Sequence, residues 1–172
     1  HHNPDSWEGW YWGGLHHWGH SLRVGMSENY GTVEDLLKHC EMVVFWSSNP
    51  ESTSGNYASQ EGSIRRQWLK ELDIKFVHID PHYNDTAQML GGKWISPKPT
   101  TDPALALAIA YIWITEDLYD KDYVSKRTEG FEVWKDYILG VEDGIEKTPE
   151  WQEVETGVPA KDVRALAREW GN

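Results

Sequence analysis

Two short runs constrain most strongly what this chain can become: MVVFW at Met42–Trp46 and KFVHID at Lys75–Asp80. Each is a continuous block of β-branched, aromatic and aliphatic residues, the pattern of a strand buried on both faces. Between them lies QEGSIRRQWLKEL, about Gln60 to Leu72, which places Ile64, Trp68 and Leu72 on one face of an amphipathic helix. Upstream, TVEDLLKHC reads as a short helix with Thr32 as N-cap and Asp35 in the capping-box position. Helix, strand, loop, helix, strand is a parallel α/β rhythm. It continues with TAQML as a helical turn, KWIS as a short third strand, and KPTTDP as a loop. That loop leads into a helix from about Asp102 to Glu116, with Asp102 as cap and Pro103 at the first helical position. Beyond Asp117 the strands stop. DKDYVSKRT, FEVWKDYILG, TPEWQEVETG and PAKDVRALAREW read as short helices punctuated by Gly130, Gly140 and Gly157. The expected fold is α/β: a Rossmann-like, three-layer arrangement of a parallel sheet with flanking helices, and a helical C-terminal part.

Composition narrows the function. The 172 residues suit one ordinary domain or part of a larger chain, and the abrupt start reads as a piece of something longer. A net charge of −12 argues against nucleic acid and anionic membrane as partners, since IRRQWLK is the one basic cluster. Cys40 is the single cysteine, so no internal disulfide and no cysteine-held iron–sulfur cluster is available. The longest apolar stretch, ALALAIAYIWI, is too short to span a bilayer. The 11 Trp point either to an aromatic-lined pocket or to additional core filling.

Ligands of open parallel sheets bind at the carboxyl ends of the strands. Here those ends carry SSNPESTSG, DPHYNDT and PKPTTDP, each with hydroxyls, Asn or Asp. Helix starts offer free N–H groups to a phosphate. This is the make-up of a nucleotide site without a GxGxxG loop. Ordinary capping and turn chemistry accounts for the same residues.

The opening stretch, HHNPDSWEGWYWGGLHHWGH, sets Ser6 between Asp5 and Trp7 among many Trp and His. Taken alone, Ser6 reads as a helix cap. His16 and His20 have the i, i+4 spacing of a zinc pair, but no third ligand is clear. NPDSWEGWYWG, NPESTSG, IDPHYNDTA, PKPTTDPALALAIA and LYDKDYV together resemble the molybdopterin oxidoreductases of the dimethyl sulfoxide reductase type, over essentially the whole chain. HNPDSWEGWYWGG, RRQWLKEL and FEVWKDYILG resemble its transhydroxylase branch, which acts on polyhydroxylated benzenes.

The resemblance implies molybdenum held by two molybdopterin guanine dinucleotides. It makes Ser6 the metal ligand, a hard oxygen suited to a high-valent metal. Asp5 and Trp7 would stand beside the substrate as catalytic residues, with Asp5 moving a proton. Ser47, Ser48 and Asn49 would approach a cofactor diphosphate, with Ser52 and Ser54 adding hydroxyls. Asp80 would contact the guanosine ribose or base, and Thr86 a phosphate. Asp102 would read guanine, its carboxylate accepting from the ring N–H and the exocyclic amine together, and Thr101 would contact the cofactor beside it. Residues 1–31 then form an active-site and cofactor-contacting segment, and residues 32–172 an α/β guanine-dinucleotide-binding domain. The implied partners are the remainder of a large subunit, an iron–sulfur small subunit and a small aromatic substrate, in an anaerobic cytoplasmic enzyme. A sulfoxide or amine N-oxide reductase of the same family, and a non-catalytic nucleotide-binding module, are the competing readings.

Overall fold

The computed structural model describes His16, residues 32–53 and residues 61–171. The chain divides into two compact units, His1–Cys40 and Glu41–Asn172. In the first, helix α1 (Val33–His39) starts as the sequence predicts, with the Thr32 hydroxyl accepting from Asp35 N at 3.1 Å.

The second unit holds a parallel sheet in the order β1 (Met42–Trp46), β2 (Lys75–Ile79), β3 (Lys93–Ile95). Its register pairs Val44 with Val77, Trp46 with Ile79, and Ile79 with Ile95. Helices α2 (Pro50–Thr53) and α3 (Glu61–Glu71) fall in the first crossover, and α4 (Asp85–Leu90) in the second. After β3 come α5 (Asp102–Thr115), α6 (Lys121–Arg127), α7 (Phe131–Ile138), α8 (Pro149–Thr156) and α9 (Ala160–Trp170). The α/β class, the parallel sheet and the helical C-terminal part are as the sequence predicts.

Period two sorts the strands onto two faces. Val77, Ile79 and Ile95 join Leu105, Ile109 and Ile112 of α5 and Val163 and Leu166 of α9 in one aliphatic core. The opposite face carries Phe45, Phe76 and His78, with the Phe45 and His78 rings stacked at 5.2 Å. Gly92, at φ 101°, lets the chain turn tightly into β3; a Cβ there would meet Phe76 O at 2.3 Å. In the helical part, Lys147 is buried with its Nζ donating to Asp143 and to Ile145 O, above the Tyr137 ring. The pairing closes the turn between α7 and α8.

Three expectations need correction. Only β2 is buried as a central strand; β1 is half-buried along its length, because it is an edge of the described sheet. The face of α3 formed by Ile64, Trp68 and Leu72 is exposed, and Leu69 supplies the buried contact instead. Helical spacing identifies a shared face but not what covers it. Finally, Asp102 does not cap α5. Thr101 occupies the cap position, and Asp102 stands in the first turn with its carboxylate turned elsewhere.

Candidate functional site

The three loops after the strands meet at one end of the sheet, and side chains sew them together. The first loop begins at Ser47, held in the left-handed region at φ 48°, with its N–H donating to Ile79 O at 2.7 Å. Asn49 then reaches across to the second loop. Its Oδ1 accepts from Thr86 N at 3.2 Å and from the Thr86 hydroxyl at 2.8 Å. The Thr86 hydroxyl accepts in turn from Glu51 N at 3.1 Å. Glu51 is itself anchored by Arg66 and Ser63 of α3. Burial acts to raise the Glu51 pKa, but the Ser63 and Arg66 contacts outweigh it and hold the carboxyl below its ordinary range.

Asn84 organises the second loop. Its Oδ1 caps α4 by accepting from Ala87 N, while its amide donates to Asp80 Oδ2 at 3.0 Å and to Ser48 O at 3.3 Å. Asp80 Oδ1 accepts from His82 N at 2.9 Å, so this carboxylate is half-buried at the strand end with a fixed orientation. The third loop docks onto the second: Trp94 Nε1 donates to Asp80 O and the Ser96 hydroxyl to Pro81 O. It also reaches the first loop, where Trp46 Nε1 donates to Asp102 Oδ1 at 2.7 Å and the Ser47 hydroxyl lies 3.4 Å from the same oxygen.

The predicted residues Ser47, Ser48, Asn49, Asp80, Thr86, Thr101 and Asp102 therefore lie on one rim. Ser52 is exposed in α2 nearby. Ser54, Asp5, Ser6, Trp7, His17 and His20 lie outside the described residues, and His16 is an exposed helical residue. Thr86 departs from its expected phosphate contact: it is wholly buried and its hydroxyl is shared between Asn49 and Glu51. Its place is to pin the first loop to α4. The Thr101 hydroxyl likewise donates to Lys98 O at 2.7 Å and closes the turn that precedes α5.

Sequence reasoning missed Trp46, Asn84 and Trp94. Asn84 had a usable signal, an Asn immediately before an acidic first turn. Trp46 and Trp94 had none, since their roles depend on what the fold places opposite them. Below the rim, His78 is 1% exposed, its Nε2 is 2.9 Å from Gly91 O and its Nδ1 has no partner among the described residues. A carbonyl only accepts, so Nε2 carries the proton. Burial lowers the His78 pKa, and the Gly91 bond opposes that only in part.

The rim presents hydrogen-bond acceptors and donors side by side. Asp80 and Asp102 offer carboxylates to ribose and base hydrogen-bond donors. The backbone N–H groups of Ser48 and Asn49 are taken by no backbone carbonyl among the described residues, which leaves them for a phosphate. Among the described residues there is no group of three or more His, Cys, Asp and Glu that could hold a metal ion. None of their helices is long and apolar enough to cross a membrane.

The chain is 61% identical over 169 residues to the pyrogallol hydroxytransferase large subunit of Pelobacter acidigallici, covering 98% of this chain and 19% of that protein. It is 37% identical to the dimethyl sulfoxide/trimethylamine N-oxide reductase of Rhodobacter capsulatus over 77% of this chain and 16% of that one. Among solved structures, acetylene hydratase from Pelobacter acetylenicus superposes with a TM-score of 0.59 at 25% identity, over 76% of this chain and 16% of that chain. The chain thus spans about a fifth of the length of these relatives. The sequence profile of the molybdopterin oxidoreductases matches residues 17–154, and the chain belongs to that family.

Proposed function

We propose that this chain is the part of a molybdenum hydroxytransferase that holds one guanine dinucleotide arm of a bis-molybdopterin cofactor and contributes to the substrate pocket. The observation that carries the reading is the 61% identity over 98% of the chain, which includes the opening Trp-rich stretch as well as the rim. In this reading Ser48 and Asn49 N–H groups take the diphosphate, Asp80 orients the ribose or base, and Asp102 accepts from guanine. Ser52 and Ser54 would add hydroxyl contacts to the cofactor. The bound group would supply the oxygen-transfer chemistry of molybdenum, and Ser6 would hold the metal. Asp5 would exchange a proton with the phenolic substrate, and Trp7 would stand beside that substrate. Asp5→Asn is therefore expected to lower turnover and change its pH profile; an unchanged profile removes Asp5 from the mechanism.

The remainder of a large subunit, an iron–sulfur small subunit that carries the clusters this chain has no cysteines for, and a cytoplasmic location complete the proposal. An oxide reductase is the second reading, favoured by the 37% identity to the Rhodobacter enzyme, though over less of the chain. The deciding experiment uses the full-length polypeptide, prepared without oxygen. Metal and acid-released GMP are measured on one sample, followed by turnover of polyhydroxylated benzenes against sulfoxides and amine N-oxides. About two GMP for each metal, the ratio a paired dinucleotide gives, with turnover of the phenols is the expected result. Turnover of the oxides alone selects the reductase, and folded protein with neither metal nor GMP leaves a non-catalytic nucleotide-binding module.

A further inference from the structure

Asp102 and Trp46 are 56 residues apart in sequence and joined at 2.7 Å in the fold. The carboxylate belongs to the first turn of α5, yet it makes no cap to its own helix. The indole that holds it closes β1, and the Trp46 ring packs against the aliphatic core beneath α5. Such a donor is stiff: an indole has only two side-chain torsions, and here both the strand and the core fix them. The Ser47 hydroxyl, at 3.4 Å, is at the limit of a hydrogen bond and is a weaker restraint. Asp102 Oδ2 takes no hydrogen bond among the described residues, and the second lone pair of Oδ1 meets only the long Ser47 contact. The carboxylate is thus clamped at one edge and open at the other.

We propose that Trp46 is a positioning residue for base recognition: its N–H fixes the rotation of the Asp102 carboxylate, so that both oxygens face the N1–H and exocyclic amine of guanine. Trp46 thereby sets selectivity for guanine over a purine that lacks the amine. The inference rests on the reading of Asp102 as the guanine-binding residue. An unclamped carboxylate rotates freely about its terminal torsion and meets the two donors together only part of the time. A phenylalanine in place of Trp46 fills the same part of the core but supplies no N–H.

The test compares GMP with IMP, which differs by the exocyclic amine alone. Cofactor-free full-length polypeptide is titrated with each nucleotide for the wild type, Trp46→Phe, Asp102→Asn and the double variant. Asp102→Asn is expected to reduce the GMP-over-IMP preference by about tenfold or more, the scale of a lost bidentate base contact. Trp46→Phe is expected to reduce it by about threefold while leaving IMP binding unchanged, since the restraint and not the contact is lost. In the double variant the preference should equal that of Asp102→Asn, because the indole acts only through that carboxylate. The same variants are compared as holoenzyme by acid-released GMP per metal after dialysis, which reads retention even where free nucleotide binds weakly. An Asp102→Asn variant with wild-type preference and retention overturns the guanine reading itself. A normal Trp46→Phe beside a defective Asp102→Asn overturns the positioning role alone, as does a Trp46→Phe that weakens GMP and IMP equally.

Discussion

The molecule contains two polar networks built on opposite plans. In the helical part, Gln152 is fully buried, donates to Pro149 O at 2.9 Å and Val158 O at 2.8 Å, and accepts from the Thr156 hydroxyl. Val158 N completes the circuit by donating to Thr156 at 2.9 Å. Every partner lies within six residues. At the sheet rim the partners are 35 to 56 residues apart where they cross between the first loop and its neighbours, and most of the groups are half-buried or exposed. The first network turns one helix into the next and is closed. The second holds loops in register while leaving carboxylate and N–H groups available. The closed network serves stability and, under the proposed function, the open one serves recognition, with Lys98 N–H of the third loop donating to Thr156 O at 2.9 Å where the two meet.

Substitutions can test that division. Gln152→Ala should have the largest effect, destabilising the chain by about 3 kcal/mol because several buried partners lose their bonds together. Urea denaturation measures it, and the GMP content of the folded enzyme should stay at the wild-type level. Depleted GMP there would mean that the two networks are coupled after all. Thr86→Val keeps the side-chain shape but leaves Asn49 Oδ1 and Glu51 N without their hydroxyl partner. It should cost about 1–2 kcal/mol and, unlike Gln152→Ala, lower GMP retention by loosening the first loop. Normal retention would place Thr86 with the stability residues.

His78 tests the ground beneath the rim. Its folded pKa lies below the ordinary value of 6.5, so the native state refuses a proton that the unfolded chain accepts. Its contribution is complete above that value and is lost as pH falls from there toward the folded pKa. His78→Phe should flatten this acid limb in a series of denaturation curves between neutral and mildly acid pH. An unchanged limb would assign the acid sensitivity to other groups. Ser47→Gly is the smallest change. Relief of the left-handed backbone outweighs the added chain entropy of glycine, for a gain of about 0.5 kcal/mol, read as a small rise in Tm. A fall instead would show that the long Ser47–Asp102 contact contributes more than the backbone strain costs.

Much of the architecture was legible because it depends on near neighbours. MVVFW and KFVHI became strands, Thr32 stands at a helix start, and Gly130, Gly140 and Gly157 all take the positive φ that ends one segment and begins another. The rim's location was legible too, since parallel strands place their following loops together. What each rim residue touches was not. Asp102 has the sequence features of a cap, yet it turns to an indole from another strand. Thr86 has the features of a phosphate hydroxyl, yet it is consumed by Asn49 and Glu51. The apolar stripe of α3 resembled a buried face, yet Ile64, Trp68 and Leu72 are exposed in the chain.

By itself the sequence determined the secondary elements, the parallel sense of the strands, the chemical character of the three loops and, through its motifs, the family. Those depend on backbone torsions, residue periodicity and short-range capping, all of which act over a few residues. Only the tertiary structure decided which carboxylate is clamped and by what, which hydroxyl is already spent, and which strand is an edge. A hydrogen bond is set by distance and direction in space, and two groups 56 residues apart acquire both only when the sheet and α5 close around the same core.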